Sequence, residues 1–190
     1  MTSILEVEQL DTLSSNASST ITIGGTNATT LNLGSNITGG SITNTPAFFA
    51  NKTSDQTLTN NTFVKITFDS EVFDTDSAFD LANDKFTVPS GKGGKYVIGT
   101  SLYTDAGAVS NYQYGNIKLY LNGAEKTHTI FDPRNNPSHQ LVITHQAILD
   151  LSASDYIEVY CRISDLSGSP FIDGNSSTYQ SYFYGYRIGS

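Results

Sequence analysis

The chain has 190 residues, of which only 15% are charged, and a formal net charge of −8. Its ten Lys and Arg residues are scattered, which argues against a nucleic-acid partner, because phosphate binding needs clustered positive charge. No apolar run approaches the ~20 residues of a membrane-spanning helix, and the single cysteine, Cys161, excludes an intrachain disulfide. Strong helix formers are scarce while Thr, Tyr, Phe, Val and Ile abound, a composition that predicts an all-β protein.

The opening residues Met1–Glu8 lack the basic and apolar segments of a signal peptide, so the expectation is synthesis in a cytosol without export by the usual route. The Asn-x-Ser/Thr triplets are read as a product of composition and as unglycosylated. Residues 1–45 contain no aromatic side chain and carry a quasi-repeat: Ile21-Thr-Ile23-Gly24, Leu31-Asn-Leu33-Gly34 and a looser Ile37–Ile42 unit. Period-two alternation puts Ile21 with Ile23, and Leu31 with Leu33, on one face. A short strand pair cannot cover that face. Three copies wound about a common axis would cover it, which predicts a β-rich stem; a polar linker without fixed structure is the alternative.

Pro46 marks a boundary, and aromatic residues begin at Phe48. Strand signals follow at 63–68, 86–88, 96–102, 117–121, 141–149, 156–163 and 181–188, separated by turn residues that include the hairpin pair Asn122-Gly123. Between Val88 and Tyr96 the chain reads Pro89-Ser-Gly91-Lys-Gly93-Gly94-Lys95, a Pro/Gly connection between two strands. This density of strands predicts a two-sheet sandwich or jelly roll over residues 46–190.

Residues 46–190 resemble the C1q/TNF-like jelly-roll family. The resemblance is carried by Ala47-Phe48, Phe68-Asp69, Phe79-Asp80, Phe86-Thr-Val-Pro89 with Gly94-Lys-Tyr96, Leu149-Asp-Leu151 with Asp155-Tyr-Ile157-Glu-Val159, and Phe183-Tyr-Gly185. The chain departs from the family pattern in two extra residues, Lys92 and Gly93, and in Ser154 where the family usually has Gly. The resemblance implies a homotrimer. Tyr182, Tyr184 and Tyr186 share one face of the last strand, and are the expected interface residues together with the inward Ile21, Ile23, Leu31 and Leu33 of the stem. More weakly, residues 1–45 resemble the start of short virion appendage proteins of tailed bacteriophages, particularly marine and cyanobacterial ones.

No catalytic constellation is visible. His139 and His145 would share a face if one strand held both, but surface histidines are the simpler reading of these two and of His128. The acidic run Asp69, Glu71, Asp74, Asp76, Asp80 and Asp84 lacks the pattern of an EF-hand loop and reads as solvated turns. The segment 91–94 has neither P-loop spacing nor a following helix, and no G-x-S-x-G elbow occurs. Cys161 alternates with Ile157, Val159 and Ile163 and reads as core. Neither a metal nor a cofactor is expected.

Two loops, Asn111–Tyr114 and Asn175–Tyr182, combine Tyr, Asn and Gln, a mixture suited to polar recognition. Their candidate ligand residues are Tyr112, Tyr114, Asn175 and Tyr179. The expected function is therefore structural and non-enzymatic: a homotrimeric virion protein with a stem (1–45) that docks on capsid or tail proteins and a jelly-roll head. Read as a complete chain, a stem of at most about 150 Å suits a capsid decoration or cement protein. A tail-fibre head that recognises host-surface carbohydrate through its loops is the alternative.

Overall fold

The structure, a computed structural model, describes residues 45–189. The stem, with Ile21, Ile23, Leu31 and Leu33, lies outside the described residues. In chain order the strands are β1 (Ala47–Asn51), β2 (Gln56–Thr57), β3 (Val64–Lys65), β4 (Ser70–Asp74), β5 (Phe79–Asp80), β6 (Lys85–Thr87) and β7 (Gly94–Asp105). They continue as β8 (Tyr112–Leu121), β9 (Ala124–Phe131), β10 (Gln140–Leu151), β11 (Tyr156–Asp165), β12 (Phe171–Ile172) and β13 (Tyr182–Gly189). Among the described residues no helix occurs.

Two antiparallel sheets face one another. In the first, β10 pairs the full length of β7, while β13 and then β12 pair the opposite edge of β7. From β13 the sheet continues through β1 to β4, and from β12 to β2. The second sheet runs β5–β6–β11–β8–β9, with β3 also on β11. Alternation drives the packing: Ile157, Val159, Cys161 and Ile163 of β11 are fully buried and meet the inward residues of β7, Tyr96, Ile98 and Leu102.

One half of the core is aromatic. Phe48 stacks on Phe86 (4.7 Å between ring centroids) and Phe79 (5.3 Å) and meets the edge of Phe183 (5.0 Å). Phe68 closes the cluster against Phe79 and Phe183. Gly185 makes the room: a Cβ there would fall 2.7 Å from Phe48 and 2.6 Å from Ile98. The phenylalanines that carry the family resemblance, Phe48, Phe68, Phe79, Phe86 and Phe183, are thus members of one cluster.

Local chemistry explains the connections. Asn122 and Gly123 both have positive φ (52° and 79°), the type I′ geometry that joins β8 to β9. The loop with the two extra residues is tied down by its neighbours. The Tyr96 hydroxyl donates to the Lys92 carbonyl (2.5 Å), Arg187 donates to Gly93 O (2.7 Å), and Lys92 Nζ donates to Thr45 Oγ1 (2.9 Å).

Two expectations need correction. The strand signal at 63–68 yields only the two-residue β3, because after Ile66 the chain leaves β11 and Phe68 N donates to the Asp84 side chain instead (2.8 Å). Strand β9 gave no periodic signal, because it is an edge strand whose side chains are mostly exposed.

Ser154 adopts φ 73°, a left-handed conformation that disfavours any residue with a Cβ. Ser154→Gly removes that strain and loses part of the gain to a more flexible unfolded chain, leaving roughly 0.5–1 kcal/mol of added stability. A melting temperature raised by about 1–4 °C in a thermal scan is the expected result.

Candidate functional site

The outer side of the first sheet is its most unusual surface. Alternation along β7 leaves Val97, Gly99, Ser101 and Tyr103 facing outward. Register then fixes their neighbours: Tyr186, Tyr184 and Tyr182 oppose Val97, Gly99 and Ser101 from β13. From β10, Ile148, Gln146, Thr144 and Val142 oppose Val97, Gly99, Ser101 and Tyr103. Beyond β13, Tyr184 opposes Phe49, which opposes Phe73. None of these residues is charged; charge begins at the end pairs Lys95–Asp150 and Asp105–Gln140.

The rings on this face are ordered against one another. Phe49 stacks on Tyr182 (5.1 Å) and touches Tyr179 (5.2 Å) and Phe73 (6.2 Å). Tyr184 lies across Gly99, where a Cβ would fall 2.5 Å from its ring, so the glycine lets the tyrosine lie close to the sheet. Phe49, Tyr179, Tyr182 and Tyr184 line an open depression of about 430 Å³. Burial, followed by the adjoining Tyr182 and Tyr186, raises the Tyr184 phenol above its ordinary pKa. Yet Phe73 is 49% exposed, Val142 57%, Tyr179 58% and Ile148 66%. A contiguous apolar and aromatic face of this kind marks an interaction surface.

Tyr182, Tyr184 and Tyr186 all stand on that face. The four expected ligand residues do not form one site. Tyr112 is fully buried, its hydroxyl 3.0 Å from Thr104 Oγ1 and lying over Gly115, so it is a core residue. Tyr114 faces outward on the other sheet, against Arg162. The reason is a register shift: β8 advances from Tyr112 to Tyr114 while β11 steps only from Asp165 to Ser164, and the extra residue reverses the side-chain alternation. Asn175 shapes its own turn, its side-chain oxygen accepting from Ser177 N (2.7 Å) and Thr178 N (3.0 Å). Tyr179 joins the aromatic face. A sequence signal for Phe49 and Phe73 existed in their aromatic character, but only the register reveals that they share a face with the tyrosines.

The acidic run serves turns. Asp74 accepts from Phe79 N (2.7 Å), Asp84 from Phe68 N (2.8 Å), and Asp69 from Thr53 N and Ser54 Oγ (2.6 Å each). His139 precedes β10 and sits 3.2 Å from Asp105, whereas His145 within β10 contacts Thr127 Oγ1 (2.8 Å), so the two do not share a strand. Among the described residues no three His, Cys, Asp or Glu side chains are grouped to hold a metal. Cys161 is fully buried, and burial pushes its thiol up to about 12, far from a reactive thiolate.

At one end of the sandwich, Asn111 ties three loop segments together, accepting from Leu166 N (3.0 Å) and Ser167 N (2.9 Å) and donating to Ala106 O (2.6 Å). Beside it Asp165 is 7% exposed, and both carboxylate oxygens are buried without a hydrogen-bond partner among the described residues.

No protein-family model matches the chain. An uncharacterized protein of Bacillus subtilis (strain 168), YqcC, is 34% identical over 102 residues; the match spans 51% of this chain and 26% of that protein. The globular domain of zebrafish complement 1qA superposes with a TM-score of 0.52 at 17% identity, over 76% of this chain and 98% of that domain. The fold is therefore a C1q-like β-sandwich.

Burial holds the Asp165 carboxyl above its ordinary value of 3.8. Its folded form disfavours ionisation, so this group withdraws stability as pH rises through the raised pKa, and the full penalty stands above it. Asp165→Asn should accordingly melt above the wild type at pH 7, with the gap closing as pH falls below 3.8. Parallel thermal melts across pH 3 to 8 check this.

Proposed function

We propose that the chain is a non-enzymatic, homotrimeric structural protein of a bacteriophage virion, a capsid decoration protein whose head is the sandwich and which attaches to the particle through residues 1–45. The observation that carries the oligomer is the uncharged aromatic face of the first sheet. Its exposed rings are costly in water and favourable against a second copy, where tyrosine hydroxyls can still find partners at the rim. The C1q/TNF-like resemblance of residues 46–190 supports three-fold closure. The virion reading draws on the resemblance of residues 1–45 to short phage appendage proteins.

Deleting residues 1–45 should leave a folded oligomer that no longer decorates particles, whereas the full chain should be found on capsids by immunogold electron microscopy. Labelling confined to tail tips would replace decoration by the tail-fibre reading. Absence of the protein from purified virions would sink both.

A further inference from the structure

The hairpin that joins β8 to β9 carries a chemical liability that its surroundings hold in check. Asn122 is followed by Gly123, and both are exposed. Glycine has no Cβ to shield its amide, so an asparagine before glycine is open to attack by the next backbone nitrogen. That nitrogen displaces ammonia from the side-chain carboxamide, which leaves with the amide proton, and a cyclic imide closes. Water then opens the ring to aspartate or isoaspartate. The chain has exchanged a neutral amide for a carboxylate.

In this fold the carboxamide is engaged at both ends. Asn122 Nδ2 donates to Asp155 Oδ1 (2.7 Å), and Asn122 Oδ1 accepts from Tyr156 N (2.9 Å). The backbone follows, with Asn122 N donating to Tyr156 O (3.0 Å). Asp155 is itself fixed, because its Oδ2 accepts from Ser152 N (2.8 Å). Asn122 therefore ties the β8–β9 turn to the start of β11. To reach Gly123 N, its carboxamide must let go of Asp155 and Tyr156 together, so the conformer that closes the ring is a minor state.

We propose that Asn122 is a deamidation site whose conversion Asp155 and Tyr156 hold back, and whose product undoes the turn. The product inverts the contact. A carboxylate at position 122 sets an oxygen where Nδ2 now donates, so two anions meet in place of a donor and an acceptor. Among the described residues no cation pairs with Asp155, and Lys85 lies over the Tyr156 ring instead. Isoaspartate goes further, adding a backbone methylene to a tight turn that sets Leu121 opposite Ala124. Either product loosens the start of β9, an edge strand paired with β8 alone. The turn belongs to the second sheet, so the inference does not depend on assembly through the first.

The test incubates the full chain, its Asp155→Ala variant and a synthetic peptide of residues 119–127 at mildly alkaline pH. Peptide mass mapping follows the conversion of Asn122. The full chain should convert about tenfold or more slowly than the peptide, because two hydrogen bonds must break first, and Asp155→Ala should regain several-fold of that rate. Amide spectra show whether the variant is folded; should it fail that check, Asn122→Asp decides. Asn122→Asp should melt below the wild type at neutral pH, with the gap narrowing as pH falls through the carboxylate range. Conversion as fast in the chain as in the peptide, a folded Asp155→Ala that converts no faster, or an Asn122→Asp protein as stable as the wild type would overturn the proposal.

Discussion

The fold depends on the close approach of Phe48 to the last strand. Phe48 stacks on Phe79 and Phe86, meets Phe183, and occupies the space that Gly185 leaves open. Because β1 and β13 are antiparallel neighbours, this packing joins the two ends of the described domain to rings from β5 and β6 on the opposite sheet. Long-range contacts of this kind hold the two sheets in one alignment, and truncating the central ring would cost about 3–5 kcal/mol. Tyr96, tied to Lys92 by its hydroxyl, adds a further ring against Phe86 and fixes the entry of β7.

With the core fixed, alternation hands each sheet an outer face, and the two faces part company. The first collects phenylalanine, tyrosine, valine and isoleucine without charge, and Gly99 lets Tyr184 lie close to the backbone. The second interleaves rings with cations, and Glu125 and Glu158 pair with two of its lysines, Lys118 and Lys65. An apolar face is satisfied by covering it with another apolar surface, whereas cations over ring faces are already partly satisfied by the rings. One sandwich thus presents two outer faces of different chemistry.

Much of this architecture was legible in the sequence, for physical reasons. Phe48, Phe68, Phe86, Tyr96 and Phe183 were legible through the C1q/TNF-like resemblance, and the structure buries all five in the core. The Ile157–Ile163 alternation and the Asn122-Gly123 turn follow from local rules that tertiary packing did not override. Strand β9 was invisible because an exposed edge strand needs no alternation. Tyr112 was misplaced because the Asn111–Tyr114 stretch reads as a polar loop, whereas it starts β8, where one extra residue opposite Asp165 turns Tyr112 into the core. The partnership of Phe49 and Phe73 with Tyr182 and Tyr184 is set by register between strands distant in the chain, and sequence patterns do not encode that directly.

The central claim is that the aromatic face of the first sheet is covered by further copies of the chain. Multi-angle light scattering on the purified full-length protein at micromolar concentration measures this directly. A mass of three times 20.5 kDa is the predicted result. A particle of 20.5 kDa that persists as concentration rises would contradict it.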